Sequence, residues 1–208
     1  MLTELLIIAA AAASPADRVE ELKQWKAKCS DADVDVRMAY VEAAIASEDA
    51  TVARVCTRLA IENDNADVRN LGLRAAIALT DQVTFAVSPP AAYAAALEAA
   101  GDDESAVDAV KDEFKQSTRY WTTLRGGIPF TVKKSSVADP TSQWFATVGN
   151  GREDAAQGAA VVGDTVSWSG RVSNTQCVLT TKLDEEARLV GTVACANDLP
   201  YPVAARIF

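Results

Sequence analysis

The chain has 208 residues, contains no histidine and carries a net charge of −9 at pH 7, all of which arises within residues 1–120. Without histidine, neither a Ser-His-Asp nor a Cys-His catalytic site can be assembled, and the commonest neutral metal ligand is missing. The acidic first part would repel a phosphate backbone, so the composition argues against nucleic-acid binding and suits a basic partner better.

Residues 1–16 are predicted to be a secretory signal peptide. The apolar run Leu5-Leu6-Ile7-Ile8 is followed by alanines and then by Ser14-Pro15-Ala16, the usual order of an apolar core and a small-residue cleavage site. Glu4 and the lack of a basic residue before the run are atypical, so an alanine-rich helix belonging to the fold is the alternative. The run is too short to span a bilayer, and no later segment reaches the required length. We therefore expect a periplasmic or secreted protein without an integral membrane span.

Residues 17–124 are predicted to be helical. Apolar residues recur there at spacings of three and four, which is typical of helices that bury one face. The predicted helices span about 17–29, 33–47, 50–61, 66–79, 91–100 and 104–122, with Asp33 as the N-cap of the second. Residues 81–88 are predicted to be a connector, and Arg125-Gly126-Gly127 ends the helical part.

A repeat of 32 residues runs from the second to the fourth helix. Asp35-Val36-Arg37 precedes Ala43-Ala44-Ile45-Ala46, and one period later Asp67-Val68-Arg69 precedes Ala75-Ala76-Ile77-Ala78. Self-similarity at this period is the signature of helical hairpins that stack on one another. The pattern over residues 31–80 resembles HEAT and armadillo repeats. The resemblance implies an α-solenoid in which these Asp and Arg residues pack between repeats, and whose surface receives a protein or peptide.

Residues 125–208 are predicted to form a small antiparallel β-barrel or sandwich. After Gly127 the apolar period changes from helical to two, as in Val166-Ser167-Trp168-Ser169. The predicted fold class is therefore α+β in two segregated domains, an α-solenoid at 17–124 and a β-domain at 125–208.

One hairpin of the β-domain can be aligned by its residue numbers. In an antiparallel pair, the residue numbers of opposite residues add up to a constant. The pairs Leu183–Leu189, Leu179–Val193 and Cys177–Cys195 have the same sum, so a single register places all of them on one face. That register sets Cys177 opposite Cys195 at a separation that a disulfide can span.

The other two cysteines, Cys29 and Cys56, leave two alternatives. Secreted proteins seldom keep spare thiols, which favours a second disulfide between the first and third helices. Cys56 also lies on the apolar face of its helix, where a free thiol packs well.

The acidic segment at the start of the second helix has the spacing of a calcium loop. Asp31, Asp33, Asp35 and Glu42 occupy positions 1, 3, 5 and 12 of an EF-hand loop, but Val36 stands where the sharp turn needs glycine. The segment lies inside the helical repeat, where carboxylates stabilise helix starts. We therefore expect N-capping carboxylates here, and neither a metal site nor a cofactor.

Two aromatic pairs are candidates for an exposed contact patch. In Tyr120-Trp121 and Trp144-Phe145, adjacent side chains point in different directions, so one member of each pair tends to leave the core. The alternative is that both pairs are buried between the helical and β segments, as is common at domain junctions.

These features favour a non-catalytic envelope or secreted protein that binds or scaffolds a protein or peptide partner through its acidic helical surface. The sequence contains no phosphate-binding loop, Cys-x-x-Cys or Ser-x-x-Lys motif. One alternative is that the β-domain binds a small molecule or glycan, or inhibits a hydrolase. Another is a carboxylate-dependent hydrolase, which needs two acids converging in a cleft. A cavity within the β-domain would favour ligand binding there, whereas a filled barrel beside an exposed apolar helical surface would favour a partner protein.

Overall fold

In the described part of the chain, eight antiparallel strands close into a barrel, each hydrogen-bonded to the strands before and after it in sequence. The computed structural model describes residues 14–133, 135–148 and 157–207. The strands are β1 (Gln82–Val87), β2 (Ile128–Lys133), β3 (Thr141–Ala146), β4 (Gly158–Val162), β5 (Thr165–Val172), β6 (Thr175–Leu183), β7 (Arg188–Cys195) and β8 (Tyr201–Arg206). β8 pairs back with β1 through Ala86–Ala204 and Val87–Val203, so the sheet is closed on itself as in up-and-down barrels.

Helices of the described chain lie on both sides of β1 in sequence. Before it come α1 (Pro15–Lys28), α2 (Val34–Ala46), α3 (Ala50–Ile61) and α4 (Ala66–Ala78), and after it come α5 (Ala91–Ala100), α6 (Glu104–Phe114) and α7 (Trp121–Leu124). α1 to α4 share an apolar cluster built around Val41, Val52 and Leu71. α5 packs on α6, where the rings of Tyr93 and Phe114 lie 5.5 Å apart. In the part of the chain that the structure describes, every helix is too short or too polar to cross a membrane.

The 32-residue repeat is visible in the hydrogen bonds that start α2 and α4. The N-cap of α2 is Asp33, whose carboxylate accepts the backbone N–H groups two and three residues further on. The N-cap of α4 is Asn65, one period later, and its side-chain oxygen accepts the corresponding N–H groups. The prediction that Asp33 caps the second helix is confirmed, and the repeat corresponds to two similarly capped helices.

Large aromatic side chains fill the interior of the barrel. Inward-facing residues alternate with outward-facing ones along the strands, as a two-residue period requires. Phe130 lies at the centre, with its ring 4.9 Å from that of Trp168 and 5.6 Å from that of Trp144. Both indole N–H groups are satisfied inside: Trp168 donates to the Trp144 carbonyl and Trp144 donates to the Ser142 hydroxyl, each at 2.9 Å. The barrel is therefore a packed core.

Helix α4 covers the end of the barrel at which β6 turns into β7. Its residues Leu73 and Ile77, together with Ile61 of α3, belong to the same apolar cluster as the barrel interior. On the outer side of this contact, the Arg69 guanidinium donates to the Asp184 carbonyl in the β6–β7 turn at 2.9 Å.

Helix α7 covers the opposite end, at which β7 turns into β8. Leu124 is fully buried in the barrel cluster, and Trp121 stacks on Tyr201 with ring centroids 6.2 Å apart. The backbone N–H of Tyr120 donates to the Asp198 carboxylate in the β7–β8 loop at 2.9 Å. Both ends of the barrel are thus closed by helices that contribute to its core.

The predicted fold class, an α-solenoid followed by a separate small β-domain, is wrong. β1 lies at residues 82–87, where a connector was predicted, and it pairs with both β2 and β8. α5 to α7 are therefore an insertion between two barrel strands, and the predicted sixth helix ends at Phe114 instead of residue 122. Residues 82–87 form a strand because Val83 and Phe85 alternate inward and bury their side chains in the barrel. The prediction failed because this segment is very short and its partner strands are distant in sequence.

Candidate functional site: a groove between the helices and the barrel

A surface groove runs between two helices, α2 and α4, and two loops of the barrel. One part of it, about 640 Å³, lies between these helices and the β2–β3 loop at residues 135–138. A second part, about 540 Å³, lies between the same helices and the β4–β5 turn at residues 161–163. Arg74 of α4 lines both parts, so we treat them as one site, the helix–barrel groove.

The repeat positions the helical wall of this groove. The residues that α2 contributes are spaced by three and four, so they lie on one face of that helix. The residues of α4 stand one 32-residue period later, so the two helices present equivalent faces side by side. The polar residues of this wall are Asp35 and Glu42 of α2 and Asp67, Asn70 and Arg74 of α4, and Met38 lies between the two acids of α2.

The groove has an apolar end at the carboxyl ends of α2 and α4. Its lining there consists of Ile45, Ala46, Ala78, Leu79, Val137 and Ala138. Leu79 is 37% exposed there. At the other end, beside Asp35 and Asp67, Val162 is 72% exposed as the last residue of β4. The groove thus offers apolar surface to an incoming group at both ends.

Arg74 lies between these two ends and is partly buried. It is the one cationic residue among the described lining residues. Glu42 occupies the equivalent position on α2, but within the described chain Arg74 makes neither an ion pair nor a hydrogen bond with it or with another residue. The guanidinium is therefore a set of donors available to an acceptor that enters the groove.

The four aromatic residues predicted as a contact patch do not share a surface. Trp144 is fully buried inside the barrel, and Phe145 is 7% exposed on the opposite side of the same strand, with the Lys133 ammonium over its ring at 5.2 Å. Tyr120 and Trp121 pack against the barrel core beside α7. Tyr120 and Trp121 are therefore partly buried, between the segment of α7 and the barrel.

Both disulfides considered from the sequence are present. Cys177 and Cys195 stand directly opposite in the β6–β7 pair with their Cα atoms 4.1 Å apart. Cys29 and Cys56 join the end of α1 to α3 with their Cα atoms 5.4 Å apart. All four cysteines are therefore paired, and the alternative of a free thiol at Cys56 is wrong.

The acidic segment with calcium-loop spacing serves to start α2. The Asp31 carboxylate accepts the N–H of Asp33, and the Asp33 carboxylate caps the helix. Glu42 lies two turns into α2 and lines the groove. Among the described residues, no three acidic or cysteine side chains are grouped as a metal site would require.

The clustered carboxylates of the turns are also engaged locally. A hydrogen bond from the Ser105 hydroxyl, with two from backbone N–H groups, holds the pKa of the α6 N-cap Asp103 below its usual range. Burial opposes ionisation of Asp184, but hydrogen bonds from Arg188 outweigh it and lower the pKa of that carboxyl. Carboxyls with lowered pKa values are poor general acids, which is the role a hydrolase requires of one of its pair.

Fold and site together define a class: a closed up-and-down β-barrel with a packed interior, helices over both ends and an external groove. No family model matches this chain, no curated protein matches it, and no solved structure matches it. The groove could not be recognised from the sequence because part of its lining comes from barrel segments that are distant in sequence from the helices. The signal that could have located the helical half is the repeat of residues 35, 38 and 42 at 67, 70 and 74.

Proposed function

We propose that this protein is a non-catalytic, exported binding protein that holds an extended segment of a partner polypeptide in the helix–barrel groove. The observation that carries the proposal is the combination of an open groove containing partly exposed apolar side chains with a donor group, Arg74, that lacks a partner within the described chain. Binding sites for peptides typically combine apolar contact area with a few oriented polar groups.

The size of the groove suits a short peptide. From Asp35 to Ala46 the α2 wall spans eleven helical steps, or ~16 Å at ~1.5 Å per residue. An extended chain covers that distance with about five residues at ~3.3 Å each. A segment of this length could contact the apolar end of the groove and the other end, beside Asp35 and Asp67, at once.

The filled barrel counts against the alternative function in the β-part of the chain. A small molecule or glycan held inside the barrel would need an internal cavity, and the described interior is occupied by Phe85, Phe130, Trp144, Trp168 and Tyr201, each at most 1% exposed. The described interior therefore leaves no room for a ligand. A ligand of the β-part would have to use the surface pocket of about 570 Å³ on strands β3 to β6, and the described lining of that pocket contains no cationic side chain.

The test is to select, from a library of random eight-residue peptides, those that bind the intact protein. Leu79→Ser removes an apolar contact from the groove, and Val190→Ser is its matched control, because Val190 is exposed to a similar extent on the outer face of the barrel. We expect the wild type and Val190→Ser to enrich the same peptides, and Leu79→Ser to lose them. If the wild type enriches no peptide above the background of an unrelated protein, the proposed function is wrong.

The export part of the proposal is supported by the two disulfides, because such bonds persist in oxidising compartments. The predicted signal peptide itself falls mainly on residues 1–13, outside the described residues. Mass spectrometry of the protein from its native host tests this, with thiol alkylation under denaturing conditions and without reduction, so that buried free thiols also react. Four unalkylated cysteines in an extracytoplasmic fraction support export, and four alkylated cysteines in the cytosol contradict it.

A further inference from the structure

Arg74 differs from the other partly buried arginines of the described chain. Arg18 and Arg188 are ion-paired with carboxylates at 2.7 and 2.9 Å. Arg37 and Arg69 donate to backbone carbonyls at 2.7 and 2.9 Å. Arg74 has neither kind of partner among the described residues, although it stands in the middle of a groove. Its guanidinium donors therefore remain available to an acceptor that enters the groove from outside.

A carboxylate is the group that best matches this donor. The planar guanidinium presents a fork of N–H groups that pairs with both oxygens of a carboxylate, and such pairs are stronger than bonds to a neutral carbonyl. The apolar end of the groove begins one helical turn further along α4, at Ala78 and Leu79. The ligand must therefore carry a carboxylate and an apolar group close together and on the same side.

The last residue of a polypeptide meets that requirement. Its α-carboxylate and its side chain are attached to one Cα, so both can enter the groove together. Within an extended chain, by contrast, adjacent side chains point to opposite faces and those on the same face are about 6.6 Å apart, so an internal acidic residue holds the two groups farther apart. Given the proposed binding of a polypeptide in this groove, we infer that the occupant is the C-terminus of a partner chain whose last side chain is apolar, with its carboxylate bound by Arg74.

The other charges of the groove define what precedes that residue. Asp67 lies seven residues before Arg74 on α4, or ~10 Å along the helix axis, and Asp35 stands at the equivalent height of α2. Both carboxylates are exposed. They lie about one Debye length from a carboxylate bound at Arg74, so their repulsion of it is weak. They favour a lysine or arginine about three residues before the C-terminus, at ~3.3 Å per residue. Glu42 lines the same part of the groove as Arg74 and its charge repels a carboxylate ligand, so Glu42→Gln should tighten binding.

The experiment measures binding of synthetic octapeptides to the intact protein by fluorescence anisotropy. The peptides end in each of the amino acids in turn, over randomised preceding positions, and every one is made with a free carboxylate and with a C-terminal amide. The variants are Arg74→Gln, Arg74→Lys and Glu42→Gln. Arg54→Gln is the matched control, because Arg54 is exposed on α3 outside the groove.

We expect peptides with a free carboxylate after an apolar residue to bind best, and the amide to bind at least about tenfold more weakly, as the loss of a charge-assisted hydrogen bond predicts. Arg74→Gln should abolish the preference for the free carboxylate, Arg74→Lys should retain part of it, and Arg54→Gln should leave it unchanged.

Failure of this inference is distinguishable from failure of the proposed function. If amides bind as well as free carboxylates and Leu79→Ser weakens both, the groove binds polypeptide but the C-terminal inference is wrong. If the preference for a free carboxylate persists in Arg74→Gln, the assignment to Arg74 is wrong. If no peptide binds the wild type in either form, both proposals are wrong.

Discussion

Replacing Asp198 by alanine should loosen the end of the barrel that α7 covers. The Asp198 carboxylate is fully buried and accepts two hydrogen bonds, from the Tyr120 backbone N–H at 2.9 Å and from the Tyr201 hydroxyl at 2.5 Å. Arg119 lies 3.6 Å away through its Nε atom. Asp198 thus ties the segment before α7 to the start of β8.

The magnitude follows from the donors that alanine would leave without an acceptor. Each orphaned buried donor costs about 1–3 kcal/mol, and removal of a buried charge returns part of that cost. We expect Asp198→Ala to lower the free energy of unfolding by about 3 kcal/mol, as an order of magnitude for two orphaned donors. For a chain of this size that corresponds to a fall in Tm of about 6–12 °C.

The assay is thermal and urea unfolding followed by tryptophan fluorescence. Asp108→Ala is the control, since Asp108 is exposed on α6 and pairs only with Lys111, and it should unfold with the wild type. Asp198→Asn keeps one acceptor oxygen, so its stability should lie between those of the wild type and Asp198→Ala. A shift in Tm of about 1 °C corresponds to well under ~1 kcal/mol in the free energy of unfolding. A Tm for Asp198→Ala within about 1 °C of the wild type would therefore refute this account of the closed end.

Three further outcomes are expected. Arg69→Ala should speed hydrogen exchange in α4 and the β6–β7 turn, while Arg37→Ala should affect only the start of α2; equal effects would contradict the docking role of Arg69. Burial and its hydrogen bond raise the pKa of Tyr201, so stability that is complete below about pH 10 should fall at higher pH, and urea midpoints of Tyr201→Phe should lack that fall. The hydrogen bond from Arg18 lowers the pKa of Asp49 to about 2, so stability present above its unfolded value of about 3.9 should decline as pH drops towards 2, and Asp49→Asn should lose that dependence.

The β6–β7 hairpin was predictable because its information is local. The predicted register pairs Leu183 with Leu189, Leu179 with Val193 and Cys177 with Cys195, and the structure contains each of these pairs. Alternating apolar residues joined by a short turn permit few registers, because a slip of one residue would turn every apolar side chain outward. The same locality explains why the N-cap at Asp33 was predictable.

The closed barrel was not predictable in the same way. β1 pairs with β2 through Phe85 and Ile128, and with β8 through Val87 and Val203, across separations that no turn specifies. The alternation of Val83 and Phe85 between polar neighbours was a signal for a strand, but six residues beside a helical repeat also fit a connector. Closure of the sheet is decided by packing of aromatic side chains from distant strands, which a single sequence does not pair.

The groove lies where the 32-residue sequence repeat ends and the barrel begins. The arginine of the first copy, Arg37, donates to the Asp31 carbonyl inside its own hairpin, whereas the equivalent Arg69 donates to the Asp184 carbonyl of the barrel. In a solenoid, a third hairpin would cover the face of α4 that carries Leu73 and Ile77. Here the chain passes into β1 and the barrel end covers that face. A barrel end cannot follow the helices as closely as another hairpin would, so the adjoining face, with Arg74 at its centre, stays open between α4 and the barrel loops.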